Sequence, residues 1–295
     1  MRVIAIRPGR ICAAGTALFL FSTLLSLPAN GAEAVVEGWK DTAEFSYVAT
    51  SGNSETRTLG FKNKLWRAWT KSAFELNAGG IRSESTIVID RLAIGSPGNF
   101  DYDETEETDT TAENYFLNGR YDRKITDRFF WFAGAGWDRN EFAGIRDRYT
   151  GFGGVGNIWV DQERIKFKTD YAVTYTEQDD VVPNPDFDDS FLGLRFSWGY
   201  LHQFGEVTTY GNDLVLNANI DETDDWRGNM VNWVAVVLSS RLGLKLSHEV
   251  IYDHMPAQQE VPLFTTAGGA QNGTVLVDLD EFDTVFTASL VVNFK

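Results

Sequence analysis

The 295-residue chain reads as an exported all-β protein: a transmembrane, antiparallel, up-and-down β-barrel of about twelve strands that follows a cleaved signal peptide. Three observations predict this. The N-terminus has the charged, apolar, small-residue order of a secretory signal. Period-two alternation of apolar and polar residues recurs along almost all of the remaining chain, and no stretch keeps a helical period of 3.6. Tight turns alternate with longer, acidic connections, the asymmetry of an outer-membrane barrel with short periplasmic turns and extended outer loops.

In the signal, Arg2, Arg7 and Arg10 precede an apolar stretch from Ile11 to Leu27, then Pro28 and the small run Ala29, Asn30, Gly31, Ala32. Cleavage after Gly31 uses Ala29 and Gly31 as the small pair, and cleavage after Ala34 uses Ala32 and Ala34. The expected organisation is a signal over residues 1–31, extending as late as 34, and one barrel domain over 32–295. A transmembrane helix is the competing reading of the apolar stretch, but a helix crossing a bilayer needs roughly 20 apolar residues and no second such stretch follows. Cys12 is the only cysteine and lies inside the signal, so the mature chain has neither disulfides nor a thiolate site.

Alternation places the strands near residues 39–50, 56–69, 72–83, 113–123, 129–142, 148–160, 164–177, 190–203, 206–220, 227–240, 242–252 and 281–294. In the clearest segment Ile165, Phe167, Tyr171, Val173 and Tyr175 share one face, and Lys166, Lys168, Asp170, Thr174 and Thr176 share the other. The last segment repeats this, with Phe282, Phe286, Leu290 and Val292 opposite Asp283, Thr287 and Ser289. A soluble sandwich would alternate too, so loop length decides. Connections at Arg67 to Lys71, Lys124 to Arg128, Val160 to Arg164, Phe204 to Glu206 and Ser239 to Arg241 are tight. Those at Glu84 to Ala112, Gln178 to Asp189, Asp221 to Trp226 and Asp253 to Asp280 are mostly longer and acidic. Both termini then fall on the short-turn, periplasmic side of the outer membrane of a Gram-negative-type bacterium. Trp39, Trp66, Trp69, Phe129 to Phe132, Trp159, Trp198 and Tyr200 gather toward strand ends, where amphipathic rings suit the headgroup boundary; ordinary packing is the plainer reading of any one of them.

The formal charge is −16, and removal of the three signal arginines makes it −16 − 3 = −19. So acidic a chain does not present a basic nucleic-acid surface. Its expected partners are outer-membrane lipid and lipopolysaccharide, the barrel-assembly machinery through the C-terminal strand, and divalent cations at acidic outer loops.

The stretch from Trp39 to Leu59, WKDTAEFSYVATSGNSETRTL, resembles the first hairpin of the family of salt-induced outer-membrane proteins, a domain of unknown function, with Ser51, Gly52, Asn53, Ser54 and Glu55 matching its turn. The Gly-rich segment from Gly151 to Gly156 and the final hairpin, SSRLGLKLSHEVIYDHMP leading to DTVFTASLVVNF, match as well. The chain departs from the usual assembly signal by ending Asn293, Phe294, Lys295, which leaves the aromatic in the penultimate position. The resemblance implies an outer-membrane barrel and supplies no substrate, cofactor or catalytic residue.

A search for chemistry finds little. Ser247 and His248 are neighbours on a strand and face opposite sides, so they form no dyad. Asp253 with His254, at a strand-to-loop junction, is the only pair resembling a hydrolase site, and plain loop polarity is the better reading. Asp101, Asp103 and Glu106 head an acidic segment that could hold a hard cation, but the EF-hand pattern fails because Glu104 stands where that loop needs glycine. A solvated acidic loop is the competing reading. The remaining hint is the inward face. Lys166, Lys168, Asp170, Arg195, Asp213, Lys245, Glu249 and Asp283 are expected to line the lumen, joined by Lys62, Lys64 and Asp138. Mixed signs favour a cross-linked polar plug or a narrow lumen over a charge-selective pore.

Overall fold

The computed structural model describes residues 38–50, 54–96, 99–183, 188–266 and 269–294. The signal over residues 1–31, its alternative end at 34, Cys12 and the turn residues Ser51, Gly52 and Asn53 lie outside these.

Among the described residues fourteen strands follow in order: β1 (Trp39–Thr50), β2 (Ser54–Ala68), β3 (Ser72–Ser96), β4 (Asn99–Lys124), β5 (Phe129–Asn140), β6 (Ile145–Asp161), β7 (Ile165–Asp180), β8 (Ser190–Phe204), β9 (Thr208–Asn219), β10 (Trp226–Val237), β11 (Leu242–Asp253), β12 (Gln258–Phe264), β13 (Gln271–Asp278) and β14 (Phe282–Phe294). Twelve close a barrel in the ring order β1-β14-β11-β10-β9-β8-β7-β6-β5-β4-β3-β2, and β12 with β13 forms a separate two-stranded sheet. Every neighbouring pair in the ring is antiparallel, as an up-and-down path with hairpin connections requires.

The alternation in the sequence becomes an inside-out distribution of burial. On β7, Tyr171 and Val173 are 44% and 53% exposed, whereas Asp170 and Lys168, of the opposite parity, are 4% and 7% exposed. Phe45, Leu59, Phe61, Leu194, Leu244, Leu246, Phe286 and Leu290 are likewise exposed on the outer wall. A water-soluble protein would bury such side chains. A barrel in lipid turns them outward, because the bilayer accepts apolar surface while every backbone group must be satisfied inside the wall.

Two expectations need correction. Residues 84–112 are not an irregular loop. They continue β3 and β4 into one long hairpin whose register runs from Ser72↔Arg123 to Ser96↔Asn99, with bulges between Ser83 and Glu84 and between Val88 and Asp90. Ile87, Val88 and Ile89 supply the β-branched residues that favour a pleated backbone, and the Thr86 and Thr108 hydroxyls hydrogen-bond across the strands at 2.7 Å. Acidity reported solvation there, not irregularity. The connection from β11 to β14 likewise carries the β12–β13 hairpin. The second correction concerns Phe130 and Phe132, grouped above with boundary aromatics. Both face inward and are 0% and 2% exposed, because the period of two sends them opposite to Trp131, which is 36% exposed.

The closing seam is shorter than the other joints. β1 pairs with β14 from Asp41↔Phe294 to Phe45↔Leu290, whereas its register with β2 spans Trp39↔Arg67 to Thr50↔Thr56. Among the described residues, Ser46 to Thr50 of β1 therefore have a ladder partner on one side only.

Candidate functional site in the barrel interior

The interior is held by charges that reach across the barrel. Near the tight-turn end, Arg120 of β4 donates from Nη2 to Asp122 Oδ1 at 2.8 Å and from Nη1 to Asp170 Oδ2 of β7 at 2.7 Å. Because β5 and β6 stand between β4 and β7 in the ring, the second bond is a chord through the lumen and not a wall contact. The guanidinium carbon lies 3.9 Å from the Phe132 ring centroid, so one face of the cation is covered by an aromatic surface. Lys168 Nζ is 3.9 Å from Asp170 Oδ2. Beside them Lys64 Nζ meets the buried Glu75 Oε2 at 3.0 Å.

Further along, Lys245 of β11 donates to Glu44 of β1 at 2.8 Å, spanning β14. Asn229 Nδ2 donates to Glu249 Oε1 at 2.5 Å, and Arg195 Nε donates to Asn217 Oδ1 at 2.7 Å. Toward the long-loop end Arg148 grips Asp138 through two bonds, 3.2 and 2.9 Å, from directly paired positions on β6 and β5. Arg227 of β10 bonds Asp225 at 3.2 Å, lies 3.5 Å from Asp253, and reaches Gln178 of β7 at 3.0 Å. Paired in this way, charges can occupy a low-dielectric interior that would reject them singly.

The long-loop mouth is bridged. The turn between β5 and β6 is a single 3-10 turn, Glu141–Ala143, whose Asn140 Oδ1 accepts from the Ala143 amide at 3.2 Å. Gly144 follows at φ 75°, a left-handed backbone that glycine adopts without strain. A Cβ there would overlap the Ala257 methyl group and touch the Leu279 side chain. Ala257 and Leu279 flank the β12–β13 hairpin between β11 and β14, and in the ring those strands stand opposite β5 and β6. Just beneath, Ile145 clusters with Phe116 and Ile251, and Ala143, Ile81 and Val285 pack against them. An apolar contact thus joins opposite walls below the mouth.

Cavities remain on either side. A vestibule of about 620 Å³ at the long-loop end is lined by Asp180, Asp221, Glu222, Asp253, Glu281 and other residues. It shares Phe191, Asn219, Asp225 and Arg227 with a narrow pocket of about 40 Å³ that continues to Asp138, Arg148 and Arg195. In the half next to the tight turns a cavity of about 280 Å³ is lined by Glu44, Lys62, Lys64, Asp213, Trp233 and Lys245, among others.

The expected lumen residues are distributed over this network and do not form one site. Lys168 and Asp170 meet at Arg120, Lys245 meets Glu44, and Glu249 meets Asn229. Asp213 Oδ2 accepts from Trp233 Nε1 at 3.1 Å. Lys166 lies 3.7 Å from Asp161 at the tight-turn end, and Asp283, paired with Ile251, sits near the opposite end. Sequence reasoning passed over Arg120, Arg148, Glu44, Glu75 and Arg227. The signal was available for Arg120 and Asp122, which share the parity of Phe116 and Asn118 opposite Leu117 and Tyr121.

The other candidates come apart. Asp253 turns to Arg227 and accepts the Met255 amide at 3.1 Å, while His254 Nδ1 shares a 2.7 Å hydrogen bond with the Tyr252 hydroxyl among Trp226 and Phe282. Asp101 and Asp103 share one face of β4 and Glu106 takes the other. Among the described residues no three His, Cys, Asp or Glu side chains gather closely enough to hold a metal ion.

A closed antiparallel barrel with apolar side chains outward and paired charges inward is an outer-membrane β-barrel, and this chain is one. It belongs to a family of proteins of unknown function, DUF481, whose model matches residues 43–294. Solved structures similar to it include the NanC porin, at 9% identity over 88% of this chain and 100% of that one with a TM-score of 0.43. The KdgM porin in complex with disordered oligogalacturonate follows at 6% identity, 88% and 100% coverage and a TM-score of 0.41. The translocator domain of the autotransporter NalP from Neisseria meningitidis is similar at 7% identity, 88% coverage of each chain and a TM-score of 0.44. No curated protein matches the chain.

Proposed function

We propose that this protein is a non-enzymatic outer-membrane barrel with a structural or stress-related envelope role, closed at rest, with both termini in the periplasm. The observation that carries the reading is the contact of Gly144 with Ala257 across the mouth, above the apolar cluster of Phe116, Ile145 and Ile251. The ion pairs of Arg120 and Lys245 hold the lumen below it. Lipid and lipopolysaccharide meet the exposed apolar wall, and the C-terminal strand is the segment that the assembly machinery would engage.

Single-channel recording in planar bilayers tests this. The expected result is no steady conductance, or a small one. Steady conductance at the level of a general porin overturns it. A second reading, a narrow diffusion channel for small solutes or ions, is favoured by the continuity of the vestibule with the pocket between Arg148 and Arg195. It predicts small steps that grow when the β5–β6 turn is shortened.

A further inference from the structure

We infer that the cavity beside Trp233 is a binding site for a small, neutral, polyhydroxylated molecule of the size of one or two sugar rings. Its floor is a flat aromatic face. Trp233 of β10 is registered directly with Gly211 of β9, and the indole lies down over that glycine, where a Cβ would overlap three of its ring atoms. The ring is pinned by the Nε1 bond to Asp213 Oδ2 at 3.1 Å, so one face packs on the wall and the ring edge is fixed. Lys245 Nζ stands over the ring, 5.3 Å from its centroid, and is itself bonded to Glu44 at 2.8 Å, so a molecule that stacks on the indole meets this ammonium as well. A small residue under a large ring, with the ring's hydrogen-bonding edge satisfied, holds the indole in one orientation.

The rim selects by hydrogen bonding and not by net charge. Lys62, Lys64 and Lys245 line the cavity together with Glu44 and Asp213, and Glu75 already holds Lys64 at 3.0 Å. Two of the three lining ammonium groups are thus already matched by carboxylates, Lys64 by Glu75 and Lys245 by Glu44. An anion or a cation would upset that balance and lose its hydration as well. A neutral ligand rich in hydroxyls loses little, because each hydroxyl both donates and accepts and the rim offers both kinds of partner, with Thr42, Asn63 and Asn77 adding to them. Apolar C–H faces of such a molecule would stack on the indole, with Leu201 and Val291 nearby. A cavity of about 280 Å³ with an apolar floor and convergent polar groups has the makings of a small-molecule site.

Occupancy of the cavity at equilibrium is independent of whether the lumen conducts. The test uses the full barrel purified in detergent and saturation-transfer NMR with three probes of equal ring size: methyl glucoside, glucosamine and glucuronate. Methyl glucoside should bind saturably and at least severalfold more tightly than the charged pair. Trp233→Ala should weaken it by about tenfold or more, the scale of a central aromatic anchor. Trp233→Phe, which keeps a stacking face, should retain most of the affinity, and Gly211→Ala, which lifts the indole, should weaken it. Heat-modifiable gel migration checks that each variant has folded. Absence of saturable binding by methyl glucoside, stronger binding of either charged probe, or unchanged affinity in folded Trp233→Ala overturns the inference.

Discussion

Arg120 shows what one interior side chain does for the wall around it. It answers two carboxylates on strands that do not touch, and Phe132 covers one face of its guanidinium. Replacement by leucine would leave Asp122 buried without its cation and Asp170 with only Lys168, at 3.9 Å. That should cost about 3–5 kcal/mol, read by urea titration of the barrel in lipid vesicles. On the outer wall the same chemistry is graded by depth. Phe167 is the third residue of β7 and Val173 the ninth, so Val173 lies nearer the bilayer midplane. Val173→Arg should destabilise by about 2–4 kcal/mol and Phe167→Arg by only about 0–1 kcal/mol. Equal costs in the same titration would contradict a lipid-facing β7.

Among the elements, the β5–β6 turn and the β1–β14 seam are two places where the wall departs from uniformity. Gly144 combines a left-handed backbone with a close approach to Ala257, so any side chain there must push the turn off the opposite loop. Gly144→Val should raise conductance in planar bilayers, and an unchanged trace would mean that the turn does not close the mouth. At the seam, β1 has β14 partners only as far as Phe45. Backbone groups beyond it lack a second ladder, and hydrogen exchange follows local hydrogen-bond loss. In detergent the seam-facing amides from Ser46 to Ala49 should therefore exchange faster than those from Asp41 to Phe45. Uniform protection along β1 would show that the seam closes fully.

For the whole molecule the directional feature is the long hairpin. From Glu84 to Ser96, β3 runs beyond the expected strand by a length of about 40 Å, at about 3.3 Å per residue. If the termini are periplasmic, this arm projects from the cell. A single cysteine at Thr105 should then react with a membrane-impermeant maleimide on intact cells, and one at Asp127, in the opposite turn, should react only after lysis. The reverse pattern would invert the barrel.

Much of this architecture is legible in the sequence. Alternation is a local property, because each residue's face depends only on its parity within a strand. Strand positions, the inward set around Lys168 and Asp170, and the tight-turn side could therefore be read from neighbours alone. Composition misled in the segment from Glu84 to Ala112, since acidic residues are as soluble on an exposed hairpin as in a loop. What no local rule contains is which inward residues meet. Arg120 finds Asp170 fifty residues away, Lys245 finds Glu44, and Gly144 rests on Ala257, because ring closure brings strands that are distant in the chain to opposite ends of one chord. A barrel with a charged interior follows from residue parity along each strand; that those charges pair and that a turn spans the mouth follows only from the fold, because both depend on the closed geometry of the ring.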